Sequence, residues 1–386
     1  MGKIELDHTG SGSGITLSSD GTDLLLDGTA IGGGGGGGFT SIVENYTNGT
    51  APTVTGNDSV GIGDSTTASG ADSYAMGHVA TAAGGQAIAL GNLTNVTSGS
   101  TTGAAALGYK ATVGAGASGV AIGTSYVSGN NGFAVSIGNN TSTYGALNQY
   151  AFAMGNLNKA SGYQSVCVGG YANTANNYRS SIINGTSNTV STNYGTILGG
   201  EGNTINTNSN YSIILCGEYN SASQQYTVAS GKRAKTKVKG QMAHSAGHFS
   251  ETGDAQTSMY VLRSDTDNAN AQDMSTDNSA ASFNNQVSLD NYAAYAFEGT
   301  IVAREDATDG TDCAAWKVEG LIRREGNAGT TTLVASTVTA ISNTPSWGLA
   351  LAANTTVGCL KITVTGAAST NIRWVANIRT SETIYA

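Results

Sequence analysis

A short apolar cluster closed by glycine recurs twelve times between residues 54 and 231, and no other feature narrows the possible folds as far. Aligned on that glycine, the clear copies run Val60-Gly61-Ile62-Gly63, Tyr74-Ala75-Met76-Gly77, Ile88-Ala89-Leu90-Gly91, Ala105-Ala106-Leu107-Gly108, Val120-Ala121-Ile122-Gly123, Val135-Ser136-Ile137-Gly138, Phe152-Ala153-Met154-Gly155 and Val166-Cys167-Val168-Gly169. Fainter copies end at Gly185, Gly200, Gly217 and Gly231, and successive glycines stand 14, 14, 17, 15, 15, 17, 14, 16, 15, 17 and 14 residues apart. So steady a short pitch means a solenoid, in which each unit is one coil that cannot bury its apolar face alone.

A single copy shows the geometry. Two larger apolar residues two positions apart face one side of a strand, and the small residue between them faces the other. The glycine permits a sharp corner, and a second small-residue turn, such as Ala68-Ser69-Gly70 or Ser161-Gly162, follows halfway to the next copy. The coil is therefore two short strands, each stacking on its counterpart in the next coil, and twelve coils at ~4.8 Å give a rod of roughly 55–60 Å. Two or three large apolar side chains per coil bury too little to offset the entropy of ordering it. The face of Ala, Ser and Gly left over lets backbones approach closely, so the expectation is several chains packed laterally about an axis as a cyclic oligomer.

Composition removes other classes. Charged residues make up 11% of the 386, against roughly 25% in ordinary globular chains. No stretch approaches the ~20 apolar residues of a membrane span, so no membrane insertion is expected. The net charge of −9 argues against a nucleic-acid partner, since duplex affinity rests on Lys and Arg neutralising phosphates. The start, Met1-Gly2-Lys3-Ile4, lacks the basic and apolar segments of a signal peptide, so assembly in a cytoplasm is expected. The four cysteines, Cys167, Cys216, Cys313 and Cys359, show no paired spacing and read as reduced, buried small residues.

Around the repeats lie four further zones. Residues 1–31 alternate as short strands between Asp-Gly turns, and read as an attachment segment. Residues 32–53 form a glycine-rich linker whose seven consecutive glycines, 32–38, act as a flexible hinge spanning ~15 Å; no GxxxxGK[ST] follows to make it a phosphate loop. Residues 232–240 form a basic junction, and 241–386 a separate domain. In that domain Leu360, Ile362 and Val364 alternate with Cys359, Lys361 and Thr363, and Ile372, Trp374, Ala376 and Ile378 with Arg373, Asn377 and Arg379. Several such strands with turn punctuation imply a C-terminal β-sandwich, which also caps the open end of the solenoid.

The run from Ser59 to Gly77, SVGIGDSTTASGADSYAMG, resembles the head repeat of trimeric autotransporter adhesins, (N/S)-(S/A)-V-A-I-G-x-x-(S/A)-x-A-x-G. The resemblance covers about 175 residues and implies a left-handed parallel β-roll of three tightly packed chains. Those adhesins also carry a signal peptide, a coiled-coil stalk and a membrane barrel, which this sequence does not show, and the same repeats occur in bacteriophage fibres. Residues 240–263 from Gly240-Gln241-Met242, with Ala315-Trp316-Lys317-Val318-Glu319-Gly320 and Ile372-Arg373-Trp374-Val375-Ala376, resemble the C-terminal module of phage fibre proteins, especially those of marine cyanobacteria. The resemblance implies an all-β homotrimeric fibre or spike on the virion, joined to virion proteins through its N-terminus. Its C-terminal domain would face a host-surface glycan or protein. A tailspike depolymerase and a bacterial surface adhesin are the rival readings.

Candidate sites follow from residue type. Lys232-Arg233-Ala234-Lys235-Thr236-Lys237-Val238-Lys239 places five cations in eight residues; Lys235, Lys237 and Lys239 are candidates for holding acidic surface sugars, or form a solvated strand face with Arg233. Trp316, Trp347 and Trp374 all fall in the last domain. The first and third fit strand alternation, whereas Trp347, beside Pro345 and Gly348, is the surface candidate for a receptor contact. His244 and His248 would share a metal on a helix, but in an extended chain they sit ~13 Å apart, so no metal or cofactor is expected. Asp265, Asp267, Glu305, Asp306, Asp309 and Asp312 could furnish the two carboxylates of a glycosidase, yet their turn-like neighbours and the absence of a GxSxG nucleophile point to turn chemistry. The expectation is a protein that is not an enzyme.

Overall fold

The computed structural model describes the strands Ile4–Leu6, Ile15–Ser19, Leu24–Leu26 and Thr29–Ala30, and residues 49–99, 102–139 and 141–385. The four N-terminal strands pair as an antiparallel meander. The seven-glycine hinge, and all of the 32–53 linker before residue 49, lie outside the described residues. Their regular secondary structure is almost entirely β: one three-residue 3₁₀ turn, Ala328–Thr330, is the only helical element among them, and no helix among them is long and apolar enough to cross a membrane. The chain forms two compact units, residues 1–157 and 158–386.

In the first unit the repeats build a parallel β-solenoid. Strands Tyr74–His78, Ile88–Asn92, Ala105–Tyr109, Val120–Ile122, Phe133–Val135 and Phe152–Asn156 stack in register. The register puts Ala75, Ala89, Ala106, Ala121, Ala134 and Ala153 in one column. A second sheet of two-residue strands, including Thr67–Ala68, Thr81–Ala82, Asn95–Val96 and Thr112–Val113, closes each coil. One alignment shifts: the coil strand is Phe133–Val135 and not Val135-Ser136-Ile137, and Ile137 turns inward at the corner, fully buried.

The two faces of the strand are the reverse of the sequence expectation. The small column is the interior: these alanines are essentially inaccessible, packed against Ala68, Ala82, Val96 and Val113 from the second sheet. The larger residues point outward, with Tyr74, Met76, Ile88 and Leu90 between 37% and 50% exposed. The reason is steric. Two strands joined on one side by a corner of two or three residues lie close together, and in the first unit alanine and valine fill the close-packed interior between them. The repeat glycine is equally constrained. Gly91 has φ +131°, and a Cβ there would stand 1.9 Å from the carbonyl oxygen of Gly108 in the next coil.

The second unit continues the same coil plan through Val166–Tyr171, Ser181–Ile182, Thr196–Ile197, Ile213–Glu218, Val228–Lys232 and Met242–Ser245. Here a buried asparagine ladder holds one corner. The Asn188 side chain donates from Nδ2 to Asn173 Oδ1 (3.0 Å) and to the Gly200 carbonyl (2.8 Å). Its Oδ1 accepts from the backbone N–H and the Nδ2 of Asn203, both at 3.0 Å. The pattern repeats from Asn158 to Asn220, whose Oδ1 receives the N–H of Ala234. Each amide satisfies backbone groups that the glycine corner would leave unpaired, which is why the fainter copies coil as well as the clear ones.

An antiparallel sheet seals the last coil. Ala255–Thr266 runs antiparallel to Met242–Ser245, then pairs with Ile372–Ile384, which pairs with Ala293–Glu305, then Cys313–Arg324, then Thr332–Ser342. The Gln256 side chain takes the place of a next coil, accepting the Lys235 N–H (2.8 Å) and donating to the Lys235 carbonyl (3.0 Å). A smaller antiparallel sheet, Ala271–Asp273, Val287–Ser288, Gly348–Asn354 and Cys359–Thr365, shares one core with the five long strands.

Replacing Asn188 by Ala strips buried partners from Asn203 and Gly200, so we expect a loss of about 2–4 kcal/mol, read as a lowered denaturation midpoint. Ser at the same position, which restores no amide, is expected to recover little.

Candidate functional site

The basic run and the tryptophans sit where packing, not solvent, uses them. Lys237 is buried: its ammonium lies 2.9 Å from Asp290 Oδ2 and donates to the Tyr295 hydroxyl at 2.8 Å. Burial pulls its pKa below the ordinary lysine value, against the opposing pull of Asp290 and Glu382. Lys235 also pairs with Asp290 (3.5 Å) and Lys239 with Asp277 (3.3 Å), while Arg233 lies over the Tyr219 ring. The expected solvated lysine face is corrected: the strand ends against the C-terminal sheets, and their carboxylates claim the cations. Trp347 is corrected too. It is 4% exposed and packs at 5.8 Å from Trp374, itself stacked on Trp316. Its backbone is pinned by Asn343, which bonds both its N–H and its carbonyl.

Beside this lattice, Glu382 accepts from Tyr260 (3.0 Å), Gln256 (2.8 Å) and Thr380. Burial pushes the Tyr260 and Tyr295 hydroxyls well above the ordinary tyrosine range, so both stay protonated. Cys167 and Cys359 are buried thiols pushed up by burial to about 12. Cys216 and Cys313 are exposed, against the expectation of four buried cysteines, because each faces outward on its strand. His244 bonds Ser230, and no cluster of metal-ligating residues occurs among the described residues.

The acidic residues behave differently. An open groove of ≈ 830 Å³ is lined by Asp265, Asp267, Asp277, Asn278, Asp306, Arg263 and Arg373. A shallower one of ≈ 570 Å³ adjoins it through Asp265 and Asn278 and adds Asp273 and Lys361. Arg373 holds Asp306 at 2.9 Å, and Asn278 donates to Asp265. Burial raises the Asp277 carboxyl, but hydrogen bonds from Ser279 and Asn285 and the nearby Lys239 outweigh it, leaving the pKa below the ordinary value. Asp277 is therefore a fixed anion. Of the carboxylates singled out in the sequence, the fold brings Asp265, Asp267 and Asp306 together and leaves Glu305, Asp309 and Asp312 outside. Arg373 escaped notice because only strand pairing joins it to the acids: it lies opposite Asp265, across 108 residues of chain; Arg263, on the same strand as Asp265, and Asp277, in the turn that follows, belong to no motif.

No protein-family model matches the chain, and no curated protein matches it. Solved structures do align. The tailspike protein gp49 of an Acinetobacter baumannii bacteriophage, a capsular polysaccharide depolymerase, aligns over 85% of this chain and 57% of its own, with 8% identity and a TM-score of 0.23. The tailspike of Acinetobacter baumannii phage AM24 aligns over 84% and 67%, with 10% identity and a TM-score of 0.20. The chain thus spans under two thirds of the first of these proteins. The expectation that the chain is not an enzyme is corrected, since a depolymerase is among the structures that align with it. Physically, that exclusion rested on motifs and turn chemistry along the chain, and the carboxylate groove is assembled by strand pairing, where no motif would reveal it.

Asp290 supplies the pH test. Burial raises its carboxyl, Lys237 and then Lys235 lower it further, and the net pKa is depressed. A depressed folded-state pKa stabilises fully above the unfolded value and is lost as pH falls through the folded one. We expect stability to decline below about pH 4, and Asp290→Asn to lower stability at pH 7 while flattening that decline, measured by thermal unfolding from pH 7 to 3.

Proposed function

We propose that this chain is a subunit of a homotrimeric bacteriophage fibre or spike that holds the virion to polysaccharide on its host's surface. The observation that carries the reading is the outward apolar column of the coils. Tyr74, Met76, Ile88 and Leu90 in the first unit, and Ile183, Leu198, Leu215 and Met242 in the second, stand 37–50% exposed on regularly stacked strands. Burying one Leu, Ile or Met side chain fully is worth ~1.5–3 kcal/mol, and an alanine interior supplies little of its own. A face that repeats at every coil is best covered by the same face of identical chains. The likeness of the repeats to adhesin heads and phage fibres supports three chains and a left-handed β-roll. The C-terminal sheets, read as a β-sandwich, then form the outward end, and the N-terminal strands the virion attachment.

The groove favours a second reading, cleavage of the polysaccharide that is bound. Asp265, Asp267 and Asp306 line one open cleft, and a glycosidase works with two carboxylates flanking the scissile bond.

One preparation tests both. The purified protein is expected to sediment at three times 38.8 kDa, and Met76→Glu with Leu90→Glu to break the assembly; antibody to residues 241–386 is expected to decorate intact phage particles. A stable monomer, or unlabelled particles, contradicts the first reading. Release of reducing ends from host polysaccharide, lost in Asp265→Asn or Asp306→Asn, establishes the second, and no release from any host polysaccharide that binds removes it.

A further inference from the structure

One corner of the second unit carries a feature that neither the coil nor the cap requires. Five consecutive coils place a tyrosine there: Tyr163, Tyr178, Tyr194, Tyr211 and Tyr226. Their rings form a ladder, with centroids 5.5, 5.4, 4.7 and 5.3 Å apart, three of the four contacts near parallel and Tyr178–Tyr194 edge to face. Tyr211 and Tyr226 are 52% and 53% exposed, and Tyr163, Tyr178 and Tyr194 are half-buried. Tyr194, Tyr211 and Tyr226 adopt φ of 57–63°, the left-handed region that bulky side chains rarely enter. At the same corner the first unit uses Asp58, Asp72, Gln86, Gly103, Gly116, Asn131 and Tyr150, so the turn itself calls for no one residue type. Tyrosine is therefore not there to make the turn.

The chemistry of this corner also departs from the rest of the protein. The turns 161–165, 176–180, 191–195, 206–212 and 223–227 consist of Tyr, Ser, Asn, Gln, Gly and Thr with one arginine, and contain no Asp or Glu, in a chain with 26 acids and 17 Lys and Arg. Arg179 lies 4.9 Å from the Tyr178 centroid and 5.9 Å from that of Tyr194, held by a bond from Nε to Gln164 Oε1 at 2.7 Å. Tyr with Ser, Asn and Gly is the composition of protein surfaces built for recognition. The rings supply amphipathic area with few rotamers to freeze, and the small polar residues supply adaptable hydrogen bonds. Stacking has already immobilised these rings, so little further entropy is lost on binding.

We propose that the tyrosine ladder binds a linear acidic polysaccharide lying along the stack of coils. Ring edges and hydroxyls face the sugars, the Gln and Asn amides meet their hydroxyls, and the Arg179 guanidinium takes a carboxylate. The coil spacing of ~4.8 Å matches the advance of one sugar ring in an extended chain, so successive tyrosines meet successive residues. The site rests on the reading of a spike that holds host polysaccharide, but lies apart from the carboxylate groove and has its own test.

The probes are hexamers of alginate and of polygalacturonate, with maltohexaose as the neutral control, titrated against the full-length assembled protein by calorimetry. We expect saturable binding of at least one acidic hexamer, weaker binding of its disaccharide, and at least a tenfold loss in Tyr194→Ala/Tyr211→Ala. Arg179→Gln, an exposed change that leaves the stack intact, is expected to cost at least threefold and to reduce the salt dependence. Failure of both acidic hexamers to bind, equal binding by both variants, or protection of these tyrosines from nitration in the ligand-free protein would each overturn the assignment. Antibody decoration of particles is independent of all three, so the virion reading stands or falls separately.

Discussion

A coil of some fourteen residues that turns twice leaves room between its strands for little more than one side chain from each. That narrow interior governs the rest of the architecture. Alanine and, in later coils, Cys167 and isoleucine fill it. The residues flanking the inward one on each long strand point outward, and the glycine that turns the corner is pressed against the glycine of the next coil with no space for a methyl group. An interior made of methyl groups gives little hydrophobic stabilisation per coil. The remainder has to come from backbone pairing, from ladders of identical side chains, and from whatever covers the outward column.

The ladders show how a solenoid uses repetition. An asparagine in each coil of the second unit bonds the asparagine before and after it and two backbone groups besides, so one residue type settles the polar accounting of a whole corner. Tyrosines stack on the opposite turn. Such networks are strong only when complete, which makes the end of the stack its weak point. Here the end is closed by a side-chain amide, Gln256, and by the buried lattice of Lys237, Asp290, Tyr295 and Glu382, whose charges are each matched by a partner. The charges that the sequence offers as a sticky patch are spent on that closure.

The repeat, its pitch, the glycine corner and the predominance of strands among the described residues were legible in the sequence because each is a local signal repeated many times. Alternation at period two announces two faces but does not say which is inside. That depends on the distance between strands, which the corners set, and the larger residues pointed to the wrong side. Trp347 looked like a surface residue because Pro345 and Gly348 mark a turn, yet the turn folds back over the core. The carboxylate groove was half visible: Asp265, Asp267 and Asp306 stand out as acids, but Arg373 reaches them only through antiparallel pairing across a long stretch of chain. The tyrosines give no signal along the chain, since their fifteen-odd-residue spacing becomes an aromatic stack only once the coils are in register.

The central claim, that the outward apolar column is covered by other copies of the chain, is tested most directly on its own side chains. Met76 and Met154 in the first unit and Met242 in the second stand 37–47% exposed on the outward faces of their own coils in a single chain. Pulsed hydroxyl-radical oxidation of the purified native protein, read by mass spectrometry, should leave all three far less oxidised than the same methionines in unfolded protein. Oxidation of all three at rates near those of the unfolded chain would contradict it.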